Sequence, residues 1–219
     1  MTVAAVVLAP DPVTALSDAD GMPAIRRVVQ AAWAGGAMPI VVVSRRGAEA
    51  DAVGEAIAGL PASFMQPDAP PGARWFAAGL ATASAQVRET TAGLLWPCRF
   101  AWIDPETATS LIEAAGAAPD AIVRAAYEGQ SGFPIAVPTT LNDRFFDEQK
   151  LHAYQLVEAL AAEGAPVRVL ELGDPGIVHD ASVPRAQLPP YQGPPGPAGT
   201  PPDWNEDLAR HAAGSASLS

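Results

Sequence analysis

Short, mostly apolar runs are the feature that most constrains the fold of this chain. Six runs are bounded by turn residues and separated by helical stretches; they cover residues 3–9, 39–43, 93–96, 122–126, 133–137 and 167–172. A strand that is buried on both faces has a continuous apolar sequence, and such strands belong to parallel sheets covered by helices. The pattern therefore predicts a three-layer α/β/α fold with a mostly parallel, Rossmann-like sheet.

Helices are predicted between these runs. They cover residues 25–34, 48–60, 75–88, 104–115 and a longest helix from residue 142 or 143 to residue 164. The clearest start is Asp104-Pro105-Glu106, where Asp caps the helix, Pro takes its first position and Glu favours the first turn.

The composition changes after Leu188, and three segments are predicted. Residues 1–188 form the α/β domain, and residues 189–202 form a Pro- and Gly-rich linker that is extended or disordered. Residues 203–219 form a tail with a short amphipathic segment that places Trp204 and Leu208 on one face. The tail is expected to anchor a protein partner, or to fold back on its own domain.

Charge and cysteine content exclude several classes of function. The net charge of −11 argues against nucleic acid and against an anionic membrane as partner. The single cysteine excludes an internal disulfide and a Cys-cluster metal site. No apolar run approaches the roughly 18 residues of a membrane-spanning helix, and Met1-Thr2-Val3 enters the first strand without a basic leader. A cytoplasmic protein is therefore expected.

The turn after the first strand lacks the groups of a phosphate-binding loop. Such a loop needs glycines, exposed backbone N–H groups and a basic residue. Residues 10–20 instead hold two prolines and three aspartates, with no glycine, lysine or arginine. An acidic loop of this kind would repel a nucleotide.

Four segments, in this order, resemble the MobA-like nucleotidyltransferases. They are the strand end Val6-Val7-Leu8-Ala9, the helix start Gly21-Met22-Pro23, the segment Gly129-Gln130-Ser131-Gly132-Phe133-Pro134, and the C-terminal segment from Val178 to Leu188. The resemblance covers residues 2–190. It implies the GT-A type fold of nucleotide-diphospho-sugar transferases, Mg²⁺ as cofactor, and transfer of GMP or CMP to molybdopterin.

The resemblance also assigns site positions. This sequence departs from the family at positions that would carry the catalytic chemistry. The nucleotide-loop positions are Ala9, Pro10, Asp11, Gly21 and Pro23, where the family's consecutive glycines align with Pro10 and Asp11. The substrate-loop positions are Gly129, Gly132, Phe133 and Pro134. Cys98 stands where the family carries its metal-binding Asp, although Mg²⁺ prefers oxygen ligands.

The resemblance and its departures together predict a catalytically degenerate protein. It would be a binding or assembly partner, of a molybdenum-cofactor system or another redox-enzyme system. The alternative is an active Mg²⁺-dependent nucleotidyltransferase, using Asp180 and Asp104, that transfers a nucleotidyl group to molybdopterin or another small phosphorylated acceptor.

Several residues have two interpretations from the sequence. Asp104 is more simply a helix cap than a metal ligand, and Asp180 is either a cation ligand or a turn residue. Cys98 is more often a buried small hydrophobe than a reactive thiol. The pairs Arg26-Arg27 and Arg45-Arg46 either bind a phosphate or are solvated.

Overall fold

The structure is a computed structural model that describes residues 2–194. The predicted tail, with Trp204 and Leu208, and the end of the predicted linker lie outside the described residues. Within the described part of the chain, no helix is long and apolar enough to cross a membrane.

Seven strands form one sheet. They are β1 (Thr2–Ala9), β2 (Ile40–Ser44), β3 (Ala62–Met65), β4 (Thr90–Pro97), β5 (Ile122–Tyr127), β6 (Gln130–Pro138) and β7 (Val167–Glu171). Their order is β3-β2-β1-β4-β6-β5-β7, and every neighbouring pair is parallel except those that contain β6. The predicted α/β fold with a mostly parallel sheet is confirmed.

Within residues 2–194, seven α-helices connect or follow the strands. They are α1 (Pro12–Leu16), α2 (Ala24–Ala34), α3 (Ala48–Ala56), α4 (Ala73–Gln86), α5 (Pro105–Ala117), α6 (Asn142–Asp147) and α7 (Ala153–Ala162). As the sequence predicts, Asp104 caps α5 and Pro105 takes its first position.

Each face of the sheet has its own core, which explains the continuous apolar strands. In β1, Val7 packs with Ile25 and Leu111 of α2 and α5 on one face. The adjacent Val6 packs with Phe76 and other residues of α4 on the other face. Since successive side chains of a strand point to opposite faces, a sheet covered on both sides needs apolar residues at every position.

The predicted longest helix is wrong, because two helices occupy that stretch. The Glu148 carboxylate accepts hydrogen bonds from the backbone N–H groups of Lys150 (2.6 Å) and Leu151 (3.1 Å). Gln155 Oε1 then accepts from the N–H of His152 (2.9 Å), and the two residues form a capping box. Side-chain acceptors thus replace helical hydrogen bonds between α6 and α7. His152 consequently caps α7 rather than lying inside a helix.

The sequence pattern does not predict two short elements, β3 and α1. Strand β3 is an edge strand whose residues are all half-buried, so it lacks the apolar run of the central strands. Helix α1 lies in the acidic turn after β1.

The first residues of the predicted linker contact the domain. The backbone N–H of Gln192 donates to the carbonyl oxygen of Gly173 at 2.7 Å. Tyr191 is partly exposed, and its hydroxyl donates to the carbonyl oxygen of Pro194 at 3.0 Å.

Candidate functional site

The carboxyl ends of β1 and β4 carry two adjoining cavities. Their volumes are about 140 Å³ and about 180 Å³, and Leu8, Pro10, Pro97 and Arg99 line both. Open α/β sheets bind ligands at the carboxyl ends of their strands, so this cleft is the candidate site.

Asp11 occupies the backbone donors at the start of α1. Its carboxylate accepts from the N–H groups of Val13 and Thr14, both at 3.2 Å, and from the Thr14 hydroxyl at 2.6 Å. The hydrogen bond from the Thr14 hydroxyl is the main reason that the pKa of Asp11 lies below its usual range. In a phosphate-binding loop these donors point at the ligand, whereas here the protein's own carboxylate takes them.

The other nucleotide-loop positions lie at the end of β1 and in a turn whose hydrogen bonds join its own residues. Ala9 is the last residue of β1 and is buried. The N–H of Gly21, which has a φ of +84°, donates to Asp18 Oδ1 at 3.1 Å. Pro23 pairs with Asp18 in an isolated bridge. The turn after β1, where a phosphate-binding loop would carry a basic residue, is here acidic, and its hydrogen bonds join its own residues.

Cys98 is buried directly after β4. Its backbone N–H donates to the Leu8 carbonyl oxygen at 2.9 Å. Burial, with a smaller contribution from the charge of Asp11, raises the pKa of the thiol to about 12. The thiol is therefore protonated at neutral pH in the metal-free protein, and its soft sulfur is a poor ligand for the hard cation Mg²⁺.

Asp180 lies in a turn, close to the guanidinium group of Arg99. Its Oδ1 accepts from the backbone N–H of Ser182 at 3.0 Å and from its hydroxyl at 2.5 Å. Its Oδ2 lies 3.9 Å from Nε of Arg99, and the N–H of Ala181 donates to the Arg99 carbonyl oxygen at 2.7 Å.

This donor set does not fit the Mg²⁺ that the resemblance implies. A protonated thiol stands at the expected carboxylate position, and Asp180, the candidate cation ligand from the C-terminal segment, already faces Arg99. Within residues 2–194, no three His, Cys, Asp or Glu side chains are grouped as a metal site would need. Mg²⁺ needs several oxygen ligands, and the described residues do not bring enough of them together.

The smaller cavity has a mainly apolar wall. Phe133 lines it and packs on Phe100 with ring centroids 4.8 Å apart. Trp75, His152 and Tyr154 also line it, and Trp75 is fixed by a 2.8 Å hydrogen bond from its Nε1 to the carbonyl oxygen of Ala69.

The remaining substrate-loop positions belong to a hairpin. Gly129, with a φ of +77°, lies in the turn between β5 and β6, and Gly132 and Pro134 lie in β6. A Cβ atom on Gly132 would lie 2.0 Å from the carbonyl oxygen of Ile177, so glycine is required there by close backbone contact.

Sequence reasoning missed Asp174, which is buried and joins distant parts of the chain. Its Oδ2 accepts from the N–H of Asp104 (2.9 Å) and from the Thr107 hydroxyl (2.6 Å), and its Oδ1 accepts from the N–H of Gly176 (2.8 Å). Asp174 follows β7 and precedes Pro175, which resembles the Asp104-Pro105 start of α5, and this repeated Asp-Pro was the available signal.

The burial of Asp104 predicts that the stability of the protein depends on pH. Burial, with smaller contributions from Glu106 and Asp174, raises the pKa of Asp104 from 3.8 to about 7. The folded protein therefore holds this proton more tightly than the unfolded chain does, and its contribution to stability falls as the pH rises from about 4 to about 7. Asp104→Asn keeps a capping side chain and removes the charge.

We expect the Asp104→Asn variant to melt above the wild type at pH 8. The difference in melting temperature should shrink as the pH is lowered towards 4, and it is measured by thermal unfolding at several pH values. Asp120→Asn changes an exposed aspartate and serves as the matched control. A difference that does not vary with pH would contradict the raised pKa.

Comparisons with known proteins give one family and several solved structures. A family model described as the MobA-like NTP transferase domain matches residues 14–169. Similar structures include a nucleotidyl transferase from Methanothermobacter thermautotroptrophicus, with 16% identity, a TM-score of 0.63, and coverage of 78% of this chain and 87% of that one. A search of curated proteins gives no match.

Two further structures extend this comparison. Rv0371c from Mycobacterium tuberculosis H37Rv, in complex with manganese, has 18% identity, a TM-score of 0.61, and coverage of 78% of this chain and 89% of that one. A CMP:2-keto-3-deoxy-manno-octonic acid synthetase complexed with CTP has 13% identity, a TM-score of 0.61, and coverage of 99% of both chains. At these identities the likeness to solved structures shows the fold alone.

Proposed function

Since the chain belongs to the MobA-like NTP transferase domain family, we propose that it uses that family's fold as a binding protein and transfers no nucleotide itself. Asp11 carries this proposal. A carboxylate of the protein accepts the hydrogen bonds that a phosphate would need, and it places negative charge in the loop that the resemblance assigns to the nucleotide. Nucleotidyl transfer depends on stabilising charge on the phosphoryl group, so this arrangement opposes it.

The chemistry of the cleft supports the same conclusion. Cys98 replaces a carboxylate of the family's site, and Arg99 lies where it neutralises Asp180. The adjoining cavity offers Trp75, Phe133 and other apolar side chains, which favour binding over charge stabilisation.

The proposed role is that of a binding or assembly partner. The family includes the enzymes that attach GMP or CMP to molybdopterin, so a molybdenum-cofactor system, or another redox-enzyme system, is the proposed setting. The C-terminal segment with Trp204 and Leu208 is the proposed anchor for a protein partner.

An assay of pyrophosphate release tests the proposal. The purified protein is incubated with GTP or CTP and molybdopterin, in the presence of Mg²⁺ or Mn²⁺, and an active member of the family is run in parallel. Manganese is included because the Rv0371c structure is a manganese complex. We expect no release above that of the Asp180→Ala variant.

Metal-dependent pyrophosphate release that disappears in Asp180→Ala would overturn the proposal. That outcome would establish the alternative, an active nucleotidyltransferase that uses Asp180. The Arg88→Gln variant, which alters a residue outside the cleft, controls for the purification.

A further inference from the structure

A third cavity, of about 300 Å³, lies between α2 and the loop that precedes α5. Its wall differs from that of the carboxyl-edge cleft, because it includes Arg27, Gln30, Asp104 and Arg185 together with Trp102. None of these residues lines the cavities at β1 and β4. Ligand binding in this cavity is therefore independent of the proposed function of the carboxyl-edge cleft.

Arg27 is held in a fixed position at this cavity. Its guanidinium lies 5.2 Å from the centre of the Trp102 ring, and the Trp102 Nε1 donates to the carbonyl oxygen of Val183 at 2.9 Å. Only 21% of the Arg27 side chain is exposed. Since the indole is itself fixed by a hydrogen bond, the guanidinium that packs on it is positioned before any ligand arrives.

Arg185 reaches the same place from the C-terminal segment. Its Nη1 lies 3.6 Å from Oδ2 of Asp20, and Nη1 of Arg27 lies 3.9 Å from that same oxygen. Both distances exceed those of hydrogen bonds, so Asp20 neutralises the arginines without satisfying their N–H groups. Among residues 2–194, neither guanidinium donates a hydrogen bond to another group of the protein.

These positions form an incomplete anion site. Each guanidinium carries five N–H donors in a planar fork that matches the oxygens of a phosphate. The Asp20 side chain is 59% exposed and lies beyond hydrogen-bonding distance of both guanidinium groups, so it is a weak partner for them. A phosphate dianion brings more charge and more acceptor oxygens than this carboxylate, and it can approach to hydrogen-bonding distance.

We propose that this cavity binds a phosphate group, either as the free ion or as the phosphomonoester of a small hydroxylated molecule, between Arg27 and Arg185. The phosphate displaces Asp20. The volume exceeds that of a phosphate alone, and the side chains of Gln30 and Asp104 provide hydrogen-bonding partners for hydroxyl groups.

Calorimetric titration of the full chain tests the site. Inorganic phosphate and glycerol phosphate are the probes, with the ionic strength held constant by sodium chloride, because general charge screening would otherwise mimic binding. We expect both probes to bind the wild type. Tighter binding of glycerol phosphate identifies the phosphomonoester as the source, whereas tighter binding of inorganic phosphate identifies the free ion.

Three variants at the site and one control variant distinguish a site from an ordinary surface ion cluster. Arg27→Gln and Arg185→Gln should each weaken phosphate binding about tenfold or more, since each removes a charge-assisted pair. Asp20→Asn should strengthen it several-fold, because the competing carboxylate is removed. Arg88→Gln removes an exposed arginine elsewhere and should leave binding unchanged.

The Asp20→Asn variant keeps the proposal falsifiable even where an arginine variant folds poorly. A purely structural role of Asp20 predicts lower stability and no gain in affinity. No detectable phosphate binding by the wild type, or equal binding in all variants, would overturn the proposal.

Discussion

Asp174→Ala is expected to lower the free energy of unfolding by about 2–4 kcal/mol. Burial raises the pKa of Asp174, although three hydrogen bonds oppose that shift, so the carboxylate itself is not favourably placed. The loss of stability comes from the groups that donate hydrogen bonds to Asp174. Alanine leaves the N–H groups of Asp104 and Gly176 and the Thr107 hydroxyl without their acceptor, in a region that excludes water.

Urea unfolding measures this effect. Asp174→Asn keeps one side-chain oxygen but turns an N–H₂ group towards one of the donors, so its loss should be smaller than that of alanine. Asp120→Ala, at an exposed aspartate, is the matched control and should change stability by less than about 0.5 kcal/mol. If Asp174→Ala and Asp120→Ala unfold at the same urea concentration, the three hydrogen bonds do not stabilise the fold.

Cys98 should react with a thiol reagent far more slowly in the folded protein than after denaturation. Burial raises its pKa from 9.0 to about 12, which makes the reactive thiolate rarer in the folded state, and only 2% of the residue is exposed. Cys98 is the single cysteine of the chain, so the labelling signal has no background.

Labelling with and without urea provides the measurement. A chain with Ala81→Cys and Cys98→Ala presents an exposed thiol on α4 and should react at similar rates in both conditions. Rapid labelling of native Cys98 would show that the end of β4 is open, and it would restore a ligand-binding or redox role to this position.

The strands and the start of α5 could be predicted because their signals are local. Residues 3–9 are apolar at every position, and only a strand between two helical layers requires this. Asp104 and Pro105 identify a helix start from adjacent residues. The composition of the acidic turn likewise predicts, from adjacent residues alone, that no phosphate-binding loop follows β1.

Other elements depended on competing interactions that the pattern does not show. The helical pattern of residues 142–164 continues through the break, but Glu148 and Gln155 accept backbone hydrogen bonds there and divide it. The antiparallel direction of β6 follows from a two-residue hairpin at Glu128 and Gly129, both with positive φ.

The sequence by itself determined the layers of this protein, because burial on two faces leaves a continuous apolar record along central strands such as β1 and β2. Only the tertiary structure decided the sites. Asp174 meets Asp104 and Thr107 from 70 and 67 positions away, and Arg185 meets Arg27 across most of the chain. Such convergence depends on how the loops at the carboxyl edge pack, and residues that meet only in space leave no periodic pattern in the sequence.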